Sequence, residues 1–174
     1  MTAPVQRPLL FLDVDGPLIP FGHPGGYPTY EQAPEPRGVV SNPLLARLNP
    51  GYGPRLAALF CELVWATTWM ADANECIAPR LGLPQLPVLS LPDAYDDDEQ
   101  GGLHWKTRAV VDYAAGRPFA WVDDEITAVD REWVAAHARS RTLLHRVDPR
   151  LGLTDADFTA LEEWLRTAGQ GFSA

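Results

Sequence analysis

The chain is poor in cysteine and in basic residues, and it has no long apolar run. Each shortage narrows what it can be. It holds two cysteines, Cys61 and Cys76, in 174 residues. Nothing in their spacing calls for a disulfide, so two free thiols in a reducing cytosol are expected. Lys and Arg number 14 against 23 Asp and Glu, a formal net charge of −9. Such a balance repels nucleic acid and anionic membrane at long range. It does not exclude an anionic substrate, because a bound cation can reverse the local sign. No stretch approaches the roughly 20 apolar residues of a membrane-spanning helix. The first apolar run contains Asp13 and Asp15 and is followed by no small-residue cleavage site, so no signal peptide is expected and a cytoplasmic location is.

What the chain has in abundance is proline, 17 residues of it. Nine lie between Pro17 and Pro54, which makes residues 17–54 a long, stiff excursion with at most a hairpin and a short helical turn at 44–48. An excursion of this length inside one domain is usually functional. The apolar fraction of 46% and charged fraction of 21% are ordinary for a globular protein, and the length suits one domain, residues 1–174.

Short apolar runs alternate with helical spacing along the whole chain. The runs at 8–14, 63–66, 86–91, 119–122 and 142–147 read as buried strands. Helices are expected at 55–61, 71–81 (ended by Gly82), 105–115 (closed by Gly116), 129–138 and 155–167, the last capped by Thr154. Alternation of this kind predicts an α/β fold with a parallel sheet and right-handed crossovers.

In such sheets a ligand sits at the carboxyl ends of the strands, and three of these ends carry chemistry. The first ends in Asp13 and Asp15, the second in Thr67 followed by Thr68, the fourth in Asp123 and Asp124. Lys106 stands at a helix start between the last two. Asp13 and Asp15 share one face of an extended strand, so they repel each other unless the turn at Gly16-Pro17 separates them or a cation lies between. Magnesium, which takes oxygen ligands and keeps several waters, suits a donor set drawn from Asp13, Asp15, Asp123 and Asp124. Phosphoryl transfer then assigns roles. Asp13 is the candidate nucleophile, forming an acyl phosphate, and Asp15 the acid that protonates the leaving oxygen and later activates water. Lys106 offsets charge on the phosphoryl oxygens and Thr67 donates a hydrogen bond to one.

Each residue also has a plainer reading. Asp13 and Asp15 could be turn acids, Lys106 a solvated helix residue, and Asp123 and Asp124 acids favoured by a helix N-terminus. Thr68 could cap or turn, or touch substrate. His104 could reach the mouth of the site or lie on the surface, and His23 has the same standing. Asp96-Asp97-Asp98-Glu99 lacks the spacing of a calcium loop and reads as a solvated acidic loop. The six tryptophans read mostly as core, with Trp69 and Trp105 beside proposed catalytic residues.

The four segments Leu10 to Gly16 (ending DVDG), Leu63-Val64-Trp65-Ala66-Thr67, Lys106, and Phe119-Ala120-Trp121-Val122-Asp123-Asp124 resemble, in order, the four motifs of the haloacid dehalogenase-like superfamily. The resemblance implies a Rossmann-like three-layer fold, five parallel strands in the order 5-4-1-2-3, and Mg2+. Asp15 marks the phosphatase branches. Trp65-Ala66-Thr67-Thr68-Trp69 and Ala73-Asn74 are further similar to small bacterial members, some of them related to the phosphatase domain of RNA-repair proteins; no substrate is carried over from them. No room is left for a folded cap, so only 17–54 and the loop around 93–102 are expected to cover the site. The expected function is hydrolysis of a phosphomonoester, on a small molecule or a nucleic-acid end. The alternatives are a nucleotide or polynucleotide-end phosphatase in repair and a catalytically silent binding or regulatory protein. No membrane partner is expected, and the residues do not speak to oligomeric state.

Overall fold

A computed structural model of the chain describes residues 6–31, 42–92 and 101–170. The acidic run at 96–99, part of the proline-rich excursion and the end of the tail lie outside the described residues.

Among the described residues four parallel strands form the sheet: β1 (Leu9–Leu12), β2 (Glu62–Trp65), β3 (Phe119–Asp123) and β4 (Thr142–Arg146). Their spatial order is β2-β1-β3-β4. β1 is central because all four of its side chains are buried, which only a strand covered on both faces allows. The register sets Leu12 beside Trp65 of β2 and Val122 of β3. The strand ends that carry acids are therefore level.

The expected fifth strand, 86–91, is reduced to a single parallel bridge between Trp65 and Val88. Trp65 N–H donates to Pro87 O (2.9 Å) and Leu89 N–H to Trp65 O (2.8 Å). Pro87 has no N–H of its own, and Pro84 and Pro92 bracket the segment, so a ladder has too few donors to extend. A side chain holds this edge instead. Asn74 accepts from Trp65 Nε1 (2.9 Å) and Leu86 N (2.8 Å) and donates to Leu86 O (2.8 Å).

Helices cover both faces. On one lie α1 (Tyr52–Ala58), a π turn (Ala73–Ile77) running into α2 (Ala78–Leu81), and α5 (Asp155–Ala168). They pack on Leu10, Leu12, Trp65, Ala120 and Val122. On the other lie α3 (Thr107–Ala114) and α4 (Ala128–His137), over Leu9, Phe11, Val64, Phe119 and Trp121. The alternation of Leu9 and Phe11 against Leu10 and Leu12 between the two layers is the period-two pattern of a central strand. The helix expected at 71–81 is split, with Pro79 in the first turn of α2, where its missing N–H is tolerated. The short helical turn of the proline-rich segment is a 3-10 helix, Pro43–Arg47. Thr127 and Thr154 cap α4 and α5 through reciprocal bonds with Asp130 and Asp157. No helix among the described residues is long and apolar enough to cross a membrane.

Gly53 lets α1 approach α2 more closely than any side chain permits. A Cβ there would sit 1.6 Å from Leu81 O, well inside contact distance. Gly53→Ala is expected to destabilise the protein by about 2 kcal/mol or more, read as a lower urea midpoint with an unchanged slope.

Candidate active site

β1 and β3 are neighbours, so Asp13 and Asp123 emerge side by side at their carboxyl ends. Asp13 N–H donates to Val122 O (3.1 Å), carrying the β1–β3 pairing one residue beyond the strand. Both carboxylates are out of solvent, Asp13 at 6% and Asp123 at 0% exposure. Lys106, itself 3% exposed, joins them: its Nζ lies 2.8 Å from Asp123 Oδ2 and 3.2 Å from Asp13 Oδ2. The second oxygens are also held, Asp13 Oδ1 by Val14 N–H (2.8 Å) and Asp123 Oδ1 by Glu125 N–H (3.0 Å).

Lys106 directly precedes α3, and a buried acid keeps that helix start in place. Asp130 of α4 accepts from His104 N (2.8 Å), Thr107 Oγ1 (2.7 Å), Thr127 N (2.8 Å) and Thr127 Oγ1 (2.9 Å). Burial disfavours its charge, but these bonds outweigh burial and hold its pKa below the ordinary value. Nothing in the sequence reading marked Asp130; the Thr-x-x-Asp spacing of a capping box was its one available signal.

Asp13, Asp123 and Asp124 each offer an oxygen within 4.8 Å of the others. Burial, opposed by Lys106 and reinforced by Asp123, pushes the Asp13 pKa up to about 7. Burial and then Asp123 push Asp124 up to about 6. Burial works against the charge of Lys106 too, but Asp13 and Asp123 outweigh it and hold its pKa above the ordinary lysine value. Among the described residues three acids thus face one ammonium, and for want of positive charge two of them are shifted above the ordinary carboxylate range. A hard divalent cation with oxygen ligands fits this donor set and this deficit.

Asp15 is kept apart from that group. Gly16, at φ +97°, turns the chain, and the loop closes through Gly16 N–H to Ile19 O (2.9 Å) and Ile19 N–H to Val14 O (2.9 Å). The half-buried Asp15 instead accepts from Trp69 Nε1 (3.1 Å). Glycine is required at position 16 twice over, since a Cβ would also fall 2.7 Å from Asp124 Cγ.

Thr67 is fully buried and its hydroxyl accepts from Trp69 N–H (3.2 Å). The hydroxyl hydrogen is left for another acceptor. Thr68 is exposed. His104 contacts the site through its neighbours. Its Nδ1 accepts from Lys106 N–H (3.2 Å) and its Nε2 meets Glu125 Oε2 (3.0 Å), so Nε2 carries the proton in that tautomer. His23 is exposed and accepts from Gly25 N–H. Both flanking tryptophans meet proposed catalytic groups: Trp69 donates to Asp15, and Trp105 stacks on His104 at a centroid distance of 5.8 Å with the Lys106 ammonium 5.7 Å from its ring centroid.

A parallel sheet in this order, with acids at two adjacent strand ends, a buried hydroxyl at a third and a lysine between the acids, defines a haloacid dehalogenase-like domain. The chain belongs to the family described as the HAD domain in Swiss Army Knife RNA repair proteins, which it matches over residues 9–158. That span runs from β1 into α5 and takes in every residue of the cluster. Comparison with curated proteins and with solved structures gives no match.

The protonation of the cluster predicts a pH effect with a definite sign. Asp13 and Asp124 hold protons in the folded chain at pH values where their unfolded carboxyls, at 3.8, have lost them. Folding therefore takes up protons, and without divalent cation the stability falls as pH rises from about 4 through 6 and 7. The expected result is a lower Tm at pH 8 than at pH 5 in EDTA, with magnesium chloride raising Tm at pH 8 and hardly at pH 5. A Tm at pH 8 that ignores magnesium would count against the three-carboxylate site.

Proposed function

We propose that this protein is a magnesium-dependent phosphomonoester hydrolase whose nucleophile is Asp13. The observation that carries this reading is the buried pair Asp13 and Asp123 joined by Lys106, with Asp124 completing a set of oxygens within 4.8 Å. Bound to Asp13, Asp123 and Asp124, magnesium would supply positive charge beside the phosphoryl oxygens, which Lys106, already engaged by two carboxylates, cannot supply alone.

The chain's own groups account for the remaining chemistry. A carboxylate oxygen of Asp13 attacks phosphorus as the bond to the leaving oxygen breaks, giving an acyl phosphate on Asp13. Asp15 gives its proton to the departing oxygen. It then takes a proton from a water, which attacks the same phosphorus and releases phosphate and the Asp13 carboxylate. Lys106 and the Thr67 hydroxyl interact with the phosphoryl oxygens, whose charge is spread in the transition state. Trp69 holds the Asp15 carboxyl by one oxygen, leaving the other for the proton.

A second reading refines the substrate to a phosphate-terminated nucleic acid. The family's description places its members in RNA repair proteins, and among the described residues no second folded unit stands ready to enclose a small substrate. The net charge of −9 weighs against tight non-specific binding, which suits a site that engages only an end.

Hydrolysis of p-nitrophenyl phosphate with magnesium is the first test. Asp13→Asn should lower kcat by about 1000-fold or more while the far-ultraviolet circular dichroism stays unchanged. Asp15→Asn should slow alkyl phosphates, whose leaving oxygen needs a proton, far more than p-nitrophenyl phosphate, by about 100-fold. Equal losses on both would refute Asp15 as the proton donor, and no turnover by the wild type on any phosphate ester would leave the silent binding protein as the better account.

A further inference from the structure

We propose that Arg146, with Arg150 beside it, forms a subsite for a second phosphate on the substrate, adjacent to the one that is removed. The proposal rests on the phosphatase reading above.

Arg146 is the last residue of β4 and stands in register with Asp123. It shares its face of the sheet with Leu144, which packs in the layer of α3 and α4, the side that also holds Lys106. Neighbouring strands lie about 4.8 Å apart. Arg146 is therefore one strand from Asp123 and two, about 10 Å, from the strand of the nucleophile. Its Nε donates to the main-chain oxygen of Asp124 (2.9 Å). That bond fixes the guanidinium against the acidic loop; its terminal nitrogens make no hydrogen bond among the described residues, though Asp148 feels its charge. A guanidinium presents its N–H groups in a rigid fork, so anchoring one leaves the others directed outward for an oxyanion.

An open cavity of about 470 Å³ lies here, lined by Arg146, Val147, Asp148, Pro149 and Arg150. Arg150 is bonded twice to Asp148, Nε to Oδ1 (3.1 Å) and a terminal nitrogen to Oδ2 (2.8 Å). Asp148 is bonded to Arg150 and also feels Arg146, so two guanidiniums face one carboxylate and the cavity keeps a net positive charge. The cavity adjoins the catalytic loop. Phe21 N–H donates to Pro149 O (2.8 Å) and Leu153 N–H to Pro17 O (2.9 Å), so the loop after β4 lies against the loop that follows Asp15.

Arg146 is exposed at the rim of the acidic site, so its outward N–H groups offer a fork that an oxyanion can take in exchange for water. The transferred phosphoryl already has Lys106, Thr67 and the cation site. Arg146 reaches the main chain of Asp124 and none of the three carboxylates, so it sits to the side of that phosphoryl. A second phosphate on the same substrate fits that place. It could come from the phosphodiester next to a nucleic-acid terminal phosphate or from a small bisphosphate.

The test compares wild type and Arg146→Gln on p-nitrophenyl phosphate, on a dinucleotide bearing a terminal phosphate, and on a hexose bisphosphate. The wild type should prefer one of the two-phosphate substrates. Arg146→Gln should lower the ratio of kcat/KM for that substrate to kcat/KM for p-nitrophenyl phosphate by about tenfold, through KM. A general disturbance of Asp124 would slow all three alike, and an unchanged ratio overturns the subsite. The substrate whose preference collapses identifies the source of the second phosphate. If no substrate turns over, the phosphatase reading falls. Binding of a labelled copy of the dinucleotide with magnesium, followed by fluorescence anisotropy, then decides the subsite: weaker binding by Arg146→Gln upholds it and equal binding overturns it.

Discussion

The contact of the Lys106 ammonium with Asp13 and Asp123 is the interaction on which the rest of the site depends. Two carboxylates leave adjacent strand ends about 4.8 Å apart, both out of water. Without a cation between them, one would be neutral at neutral pH. Lys106 allows the pair to exist, yet leaves the cluster short of positive charge once Asp124 is counted. Such an arrangement costs stability in the absence of a ligand, as buried charges do when their compensation is partial. Natural proteins retain that cost where it serves function. Asp130 carries the supporting load, since its four hydrogen bonds tie the start of α3 to the start of α4 and so hold the lysine over the strand ends.

The two acids of the DVDG segment differ in burial, charge pairing and neighbours. Asp13 is buried, charge-paired and close to two more carboxylates. Asp15, two residues on, is half-buried, outside that group, and bonded to an indole. The separation comes from the turn at Gly16, whose left-handed backbone and missing side chain are both used. Ending the strand and turning the chain gives the two acids these different surroundings within three residues.

Much of the architecture was legible from local pattern. Continuous apolar runs ending in acids marked β1 and β3, and their burial on both faces follows from having helices above and below. Thr154 read as a cap and acts as one. Local pattern failed where a distant side chain or a missing donor decided the outcome. At 86–91, apolar character suggested a strand, but proline removed the donors and Asn74 took over the pairing. At 71–81, helical spacing suggested one helix, but the same Asn74 is drawn toward Trp65 and Leu86, and a π turn results.

The site divides in the same way. Local pattern was enough to show which chemical groups stand at the carboxyl ends of the strands, because a strand's end and the identity of the residue there are local facts. It favoured Thr67 over Thr68 only by position at the strand end, and it left open the company kept by Asp15 and the place of His104. Only the tertiary structure decided that Thr67 is buried and Thr68 exposed, that Asp15 meets Trp69, that His104 meets Glu125, and that Asp130 and Arg146 brace the site from α4 and β4. These depend on partners far apart in the chain, Asp15 and Trp69 by 54 positions and Arg146 and Asp124 by 22. Such distances are set by strand order, register and the path of the loops, none of which a local run of residues contains.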